Sequence, residues 1–254
     1  MAKPYRTSIT THVKGHPYVY GYDLIELAGE VSFAKAIYLI LKGQMPDKNS
    51  ESMFNAMLVI ALDHGVEPPS VVAARNVYSG GSPVQAAVAS GILAFGEYHG
   101  GAIEAAMENF AKYYPIKTGA INRHVQKMVD DFAKTGKRIA GFGHRLYDVD
   151  PRTQKLIDLA KKLGFFGKYV KFAKGVEEVL SGGAKKLPLN IDGIFAALLL
   201  EMGFNSKVGK GVFIIARTPG IVAHVVEEAL REAPFRRLAE KNVEYDGPKP
   251  RRGK

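Results

Sequence analysis

Gly141-Phe142-Gly143-His144-Arg145-Leu146-Tyr147 is the stretch around which the rest of the chain arranges itself. Two glycines ahead of a histidine allow backbone conformations that other residues resist. A histidine carried on such a turn suits acid–base chemistry, because its ordinary pKa lies near neutral pH. The plainer reading, a core histidine satisfied by backbone, fits a glycine-rich turn poorly. Asp150-Pro151-Arg152 follows a few residues later and leads into a helical pattern.

Outward from this turn, apolar residues recur at three- and four-residue spacing over most of the chain. Leu24, Leu27, Ala28, Phe33, Ile37, Ile40 and Leu41 form one such pattern, stopped by Gly43. Helices are predicted over 53–62, 71–77, 84–95, 102–113, 124–134, 152–163, 168–180, 194–202 and 221–231. A small hairpin is predicted near the start, with His12-Val13 and Tyr18-Val19-Tyr20 joined across Lys14-Gly15-His16-Pro17. The fold class is therefore all-α. Polar residues gather at the helix junctions: Asp63-His64-Gly65, His99-Gly100-Gly101, the His144 turn, and Leu189-Asn190-Ile191-Asp192-Gly193. Helix ends expose backbone donors and acceptors, so such junctions can converge on a cleft.

Composition narrows the function. The chain has 254 residues and no cysteine, which excludes thiolate catalysis, a disulfide framework and cysteine-ligated zinc. His-Glu-x-x-His, Walker A, Gly-x-Ser-x-Gly and Rossmann patterns are absent, so no metal site and no resident cofactor are expected. The longest apolar runs, such as Ile194 to Leu200, are too short to cross a bilayer, and the first residues lack an apolar signal core. A cytoplasmic protein without membrane contact is expected. The formal charge of +10 is scattered, apart from the tail Lys249-Pro250-Arg251-Arg252-Gly253-Lys254. No nucleic-acid motif accompanies it, and an anionic small molecule fits better than nucleic acid.

Taken in order, the junctions resemble the citrate synthase superfamily. The similarity rests on Tyr20 to Ala28, His99-Gly100-Gly101-Ala102, Gly141 to Tyr147 with Asp150-Pro151-Arg152, Asn190-Ile191-Asp192, and Ala216 to His224. Met45-Pro46 runs almost directly into the 53–62 helix, where citrate synthases carry a further helical stretch. That short form, and the Asn-x-Asp-Gly string, resemble the citryl-CoA lyases, including the C-terminal module of ATP citrate lyase. His99 is the synthase-like exception, since the lyase module has phenylalanine there.

The resemblance implies a citrate synthase-like pair of helical domains: a large one from 1–98 plus 206–254 and a small one from 99–205, with a cleft between. It implies cleavage of citryl-CoA to acetyl-CoA and oxaloacetate, the alternative being a citrate or 2-methylcitrate synthase. His144 would take the hydroxyl proton, Asp192 would exchange the proton at the acetyl carbon, and His99 would hydrogen-bond the thioester oxygen. Asp192 equally reads as an N-cap for a helix starting near Gly193. His64 would bind substrate, although a histidine at a helix C-terminus is its other reading. Arg152 and Arg217 would grip carboxylates and Phe213 would pack on the substrate, with core packing its alternative. Arg237, or its neighbour Arg236, would be the arginine that the family delivers from a partner subunit. Lys137, Arg138, Arg145, Lys185 and Lys186 would meet the phosphates and adenine of coenzyme A, which enters as a thioester substrate. The family also implies a homodimer or homotetramer, and a citryl-CoA synthetase as a working partner.

Overall fold

The computed structural model describes residues 4–114, 121–144, 148–183, 186–237 and 242–252. These residues group into two compact units, Met1–His64 with Phe95–Gly220, and Gly65–Ala94 with Ile221–Lys254. The unit boundaries cut the chain at other places than the large and small domains inferred from the resemblance. Eleven α-helices and one small sheet appear among the described residues.

The first unit opens with an antiparallel sheet, β1 (Thr10–Val13), β2 (His16–Val19) and β3 (Tyr22–Asp23). Val13 pairs with His16, so the hairpin turn is only Lys14-Gly15, shorter than the four residues expected. Both turn residues have positive φ, 50° and 85°, the geometry that tight hairpins require. The early helical pattern splits into α1 (Leu24–Glu30) and α2 (Phe33–Lys42). Ser32 breaks it by capping α2 with its hydroxyl, which accepts from the Lys35 amide. Gly43 ends α2 in the left-handed conformation, as its position in the sequence predicts.

Asp47 caps α3 (Lys48–Ile60), and α6 (Ala102–Tyr113), α7 (Ile121–Thr135), α8 (Pro151–Leu163), α9 (Lys168–Ser181) and α10 (Ile191–Glu201) complete most of this unit. At its centre is α10, on which α6, α8 and α9 pack. Ile194, Phe195, Ala196, Ala197, Leu198 and Leu199 are all fully buried, so this helix is apolar on every side. Each large side chain among them contributes roughly 1.5–3 kcal/mol of burial. That burial fixes where the polar start of α10, with Asn190 and Asp192, is held.

In the second unit, α4 (Pro69–Ser79) packs on α5 (Val84–Leu93). The approach is close enough that a Cβ on Gly91 would lie 2.8 Å from the Ser70 carbonyl oxygen. The last helix, α11 (Gly209–Arg231), starts twelve residues before the expected 221–231. Gly209, Gly211, Pro219 and Gly220 look like breakers in sequence, but burial of Val212, Phe213 and Ala216 outweighs their weak helix propensity. This corrects the expectation about apolar length. Together with the short turn before it, the helix is long and apolar enough by composition to cross a bilayer. Arg217 and Glu228 are nevertheless buried along it with polar partners, as in a core helix.

Candidate active site

The His144 turn is bound to the start of α10 by backbone. Gly141 and Gly143 have φ of 90° and 92°, and a two-residue antiparallel bridge pairs Phe142 with Leu189. The Gly143 amide donates to the Pro188 carbonyl at 2.7 Å, and the Asn190 amide donates to Gly141 at 3.0 Å. Asn190 Nδ2 donates to the Gly143 carbonyl at 2.9 Å, while its Oδ1 accepts from the Asp192 and Gly193 amides. Asn190 is thus the N-cap of α10, which overturns the alternative reading of Asp192 as the cap. Asp192 sits in the first turn with its carboxyl not committed to capping. A Cβ on Gly193 would lie 2.4 Å from the Gly141 oxygen, so glycine is needed where the two backbones meet. From α9, Glu177 accepts from the Leu189 amide at 2.7 Å and steadies the same segment.

Two guanidinium groups stand in the same unit. Asp150 caps α8, accepting from the Arg152 amide, and also holds the Arg152 side chain. Nε and Nη2 of Arg152 donate to the two Asp150 oxygens at 3.0 and 2.8 Å, and Nη1 lies 3.4 Å from His64 Nδ1. Arg217 is buried on α11, donates from Nε to the Ala61 carbonyl at 2.7 Å, and lies 5.0 Å over the Phe213 ring. Phe213 meets Phe95 edge-on at 5.3 Å, and Phe95 in turn lies 5.1 Å from the His99 ring. A Cβ on Gly100 would fall 2.7 Å from Phe213, which explains the glycine after His99.

Electrostatics separates these groups into roles. Burial raises the Asp192 pKa to about 6, although Arg152 and Arg217 pull it down. His144 is lowered, first by desolvation, with Asp150 opposing and Arg152 adding to the shift. His64 is lowered by desolvation, then by Arg152, Arg217 and His144. His99 is lowered by desolvation, then by Arg217 and His64. Neutral imidazoles can accept or donate hydrogen bonds, and a carboxyl that titrates near 6 can exchange a proton. Groups able to accept a proton, to exchange one and to pair with carboxylates are therefore present in one unit.

The structure gathers His64, His99, His144, Arg152, Asp192, Phe213 and Arg217 into the first unit, coupled through the contacts and charges above. Phe213 is buried against Arg217, as its core-packing reading expects. Lys137, Arg138 and Lys186 are exposed, whereas Arg145 and Lys185 lie outside the described residues. Arg237 belongs to the second unit, exposed, with its guanidinium 4.5 Å over Phe235. Its neighbour Arg236 is taken up by an ion pair with Glu228. Asp150, Asn190 and Phe95 were assigned no role from sequence. Asp-Pro at a helix start is a readable cap signal for Asp150, and Asn190 stands one residue before α10, but nothing in the sequence marks Phe95.

A family model described as the citrate synthase C-terminal domain matches residues 46–238. A citrate/2-methylcitrate synthase of Bacillus subtilis is 29% identical over 86% of this chain and 57% of its own length. The chain thus spans little more than half of that relative. The structure of a citryl-CoA lyase from Hydrogenobacter thermophilus shares 47% identity at a TM-score of 0.90, covering 98% of this chain and 97% of the other. A citrate synthase from Thermoplasma acidophilum, solved with carboxymethyl coenzyme A and oxaloacetate, shares 28% identity at a TM-score of 0.70, covering 87% and 58%. With the family model spanning most of the chain, this protein belongs to the citrate synthase family.

Proposed function

We propose that the protein is a citryl-CoA lyase, cleaving citryl-CoA to acetyl-CoA and oxaloacetate. The observation that carries this reading is the identity and structural likeness to a citryl-CoA lyase. The chain shares 47% identity with the Hydrogenobacter lyase at a TM-score of 0.90, against 28% and 0.70 for the Thermoplasma synthase and 29% for the Bacillus synthase.

In the cleavage direction, neutral His144 takes the proton of the tertiary hydroxyl. The carbinol becomes the ketone of oxaloacetate as the bond to the thioester methylene breaks, and the electron pair passes into the thioester enolate. His99 donates a hydrogen bond to the enolate oxygen, which gains charge as the bond breaks. Asp192, whose pKa burial lifts to about 6, delivers a proton from its protonated form to the methylene carbon and forms the acetyl group. Arg152, Arg217 and His64 hold the carboxylates, and Phe213 backs Arg217. His144 then returns its proton to solvent and Asp192 regains one. The depressed pKa of His144 favours its neutral form, and the elevated pKa of Asp192 makes its protonated form accessible up to about pH 6, which supports the cleavage reading.

Lys137, Arg138 and Lys186 are the exposed cations assigned to the coenzyme A phosphates. Assembly as a homodimer or homotetramer is part of the same reading. Val222, Val226 and Leu230 support it, since they form an exposed apolar stripe at four-residue spacing on α11. A ligase that makes citryl-CoA is the partner that would supply the substrate. The test is direct: purified protein is given citryl-CoA, and separately acetyl-CoA with oxaloacetate. Fast release of oxaloacetate with negligible citrate formation supports the lyase. Efficient citrate formation would replace it with the synthase reading, which the Thermoplasma match also accommodates.

A further inference from the structure

We infer that Asp150 is a positioning residue that sets the active site through Arg152, choosing which edge of that guanidinium faces substrate and which tautomer His64 adopts. The inference rests on the proposed reading of the site as one that binds citryl-CoA or oxaloacetate.

Asp150 performs two tasks with one carboxylate. Its Oδ1 caps α8 by accepting from the Arg152 amide at 3.0 Å, and both oxygens grip the Arg152 side chain. The Asp150 side chain is fully shielded from solvent and that of Arg152 is 20% exposed, so the pair is a fixed element of the interior. Arg152 has five N–H groups in a rigid fork. Asp150 engages the Nε edge, using one hydrogen on Nε and one on Nη2. The hydrogens left are the outer one on Nη2 and the two on Nη1. One carboxylate can be met by this outer edge, and in a single orientation.

Nη1 also lies 3.4 Å from His64 Nδ1. A guanidinium can only donate, so this contact selects the His64 tautomer with Nδ1 bare and the proton on Nε2. Nε2–H is then available to donate to a substrate oxygen. Removing Asp150 would free Arg152 to rotate and release His64 from that constraint.

A second consequence concerns His144. Among the described residues, Asp150, Arg152 and His64 are charged or titratable groups coupled to it. Asp150 favours the imidazolium and Arg152 disfavours it. Neutralising Asp150 therefore lowers the His144 pKa further and shifts the acid limb of the activity profile to lower pH.

Asp150→Ser and Asp150→Asn separate positioning from capping, because serine and asparagine both cap helices well. Both variants are expected to remain folded at the assay temperature, to raise KM for citryl-CoA about 10- to 100-fold with kcat changed much less, and to move the acid limb downward. Asp150→Ser combined with Arg152→Ala should be no worse than Arg152→Ala alone, since the two act as one unit. An unchanged KM in a folded Asp150→Ser variant overturns the inference, as does an additive double variant. Oxaloacetate binding by calorimetry distinguishes the two readings. If the parent binds oxaloacetate but does not cleave citryl-CoA, the lyase reading fails alone. If Asp150→Ser binds oxaloacetate as tightly as the parent, the positioning role fails alone.

Discussion

Two desolvated carboxylates on helices of this protein meet opposite fates. Glu228, in the second unit, is held between Arg75, whose Nε donates to it at 2.6 Å, and Arg236. Burial pushes its pKa up, but the hydrogen bonds and charges of the two arginines outweigh this and lower it. Asp192, in the first unit, is influenced by Arg152 and Arg217 only as charges, and burial dominates, lifting its pKa to about 6. Arg152 is occupied by Asp150 and Arg217 by the Ala61 carbonyl. Whether a buried acid becomes a structural ion or an exchangeable proton depends on where its neighbouring cations are already committed.

The largest expected effect lies on the Asp192 side of this contrast. His144→Ala and Asp192→Asn should each lower kcat for citryl-CoA cleavage on the order of 10²–10⁴-fold, as followed by oxaloacetate release. Asp192→Asn should also raise the melting temperature at pH 8, because a desolvated carboxylate is removed; a fall in stability there would break the comparison.

Glu228→Ala should do the reverse. It leaves the Arg75 and Arg236 charges without their shared partner and should cost about 3 kcal/mol of stability in denaturant unfolding, near the low end for a broken buried pair. Citryl-CoA cleavage at 25 °C should stay near the parent rate. A loss of activity as large as that of Asp192→Asn would show that the two carboxylates do not divide the work as proposed.

The pH dependence gives the same contrast with opposite signs. The folded pKa of Asp192 is raised, so its contribution to stability is present at low pH and is lost as pH rises from its usual 3.8 through about 6. The folded pKa of Glu228 is lowered, so its contribution is present above its usual 4.5 and is lost as pH falls through the lowered value. Cleavage needs Asp192 protonated, and kcat/KM should fall about tenfold per pH unit above 6. A profile that instead rises through that range would assign Asp192 to proton removal and favour the synthase direction. The smallest effect is expected at Lys186, which is exposed. Lys186→Ala should raise KM for the CoA ester about two- to threefold, in line with a single solvated contact, and high salt should erase the difference.

Much of this was legible in the residues. Ala102–Tyr113 lies where its periodicity places it, and Lys168–Ser181 differs from its expected span by one residue. His144 and Asp192 stand at or beside helix junctions that the sequence shows, whereas Arg217 was singled out only by the family resemblance and lies inside α11. The N-terminal reach of α11 was not, since Gly209, Gly211, Pro219 and Gly220 argue locally against a helix that only burial sustains. Asn190 as the cap and Asp150 as the holder of Arg152 depend on side-chain direction, which spacing does not express.

The sequence by itself determined the helical class, the family resemblance, and the set of side chains able to move protons and bind carboxylates. Those follow from local periodicity and residue chemistry, which each short segment carries with it. The tertiary structure decided the rest. It closed the Gly141–His144 turn onto α10 through Gly193, locked Arg152 against Asp150, and left Asp192 desolvated at a pKa of about 6. Desolvation and the geometry of a charge pair depend on residues far apart in the chain, so they arise only when those residues are packed together.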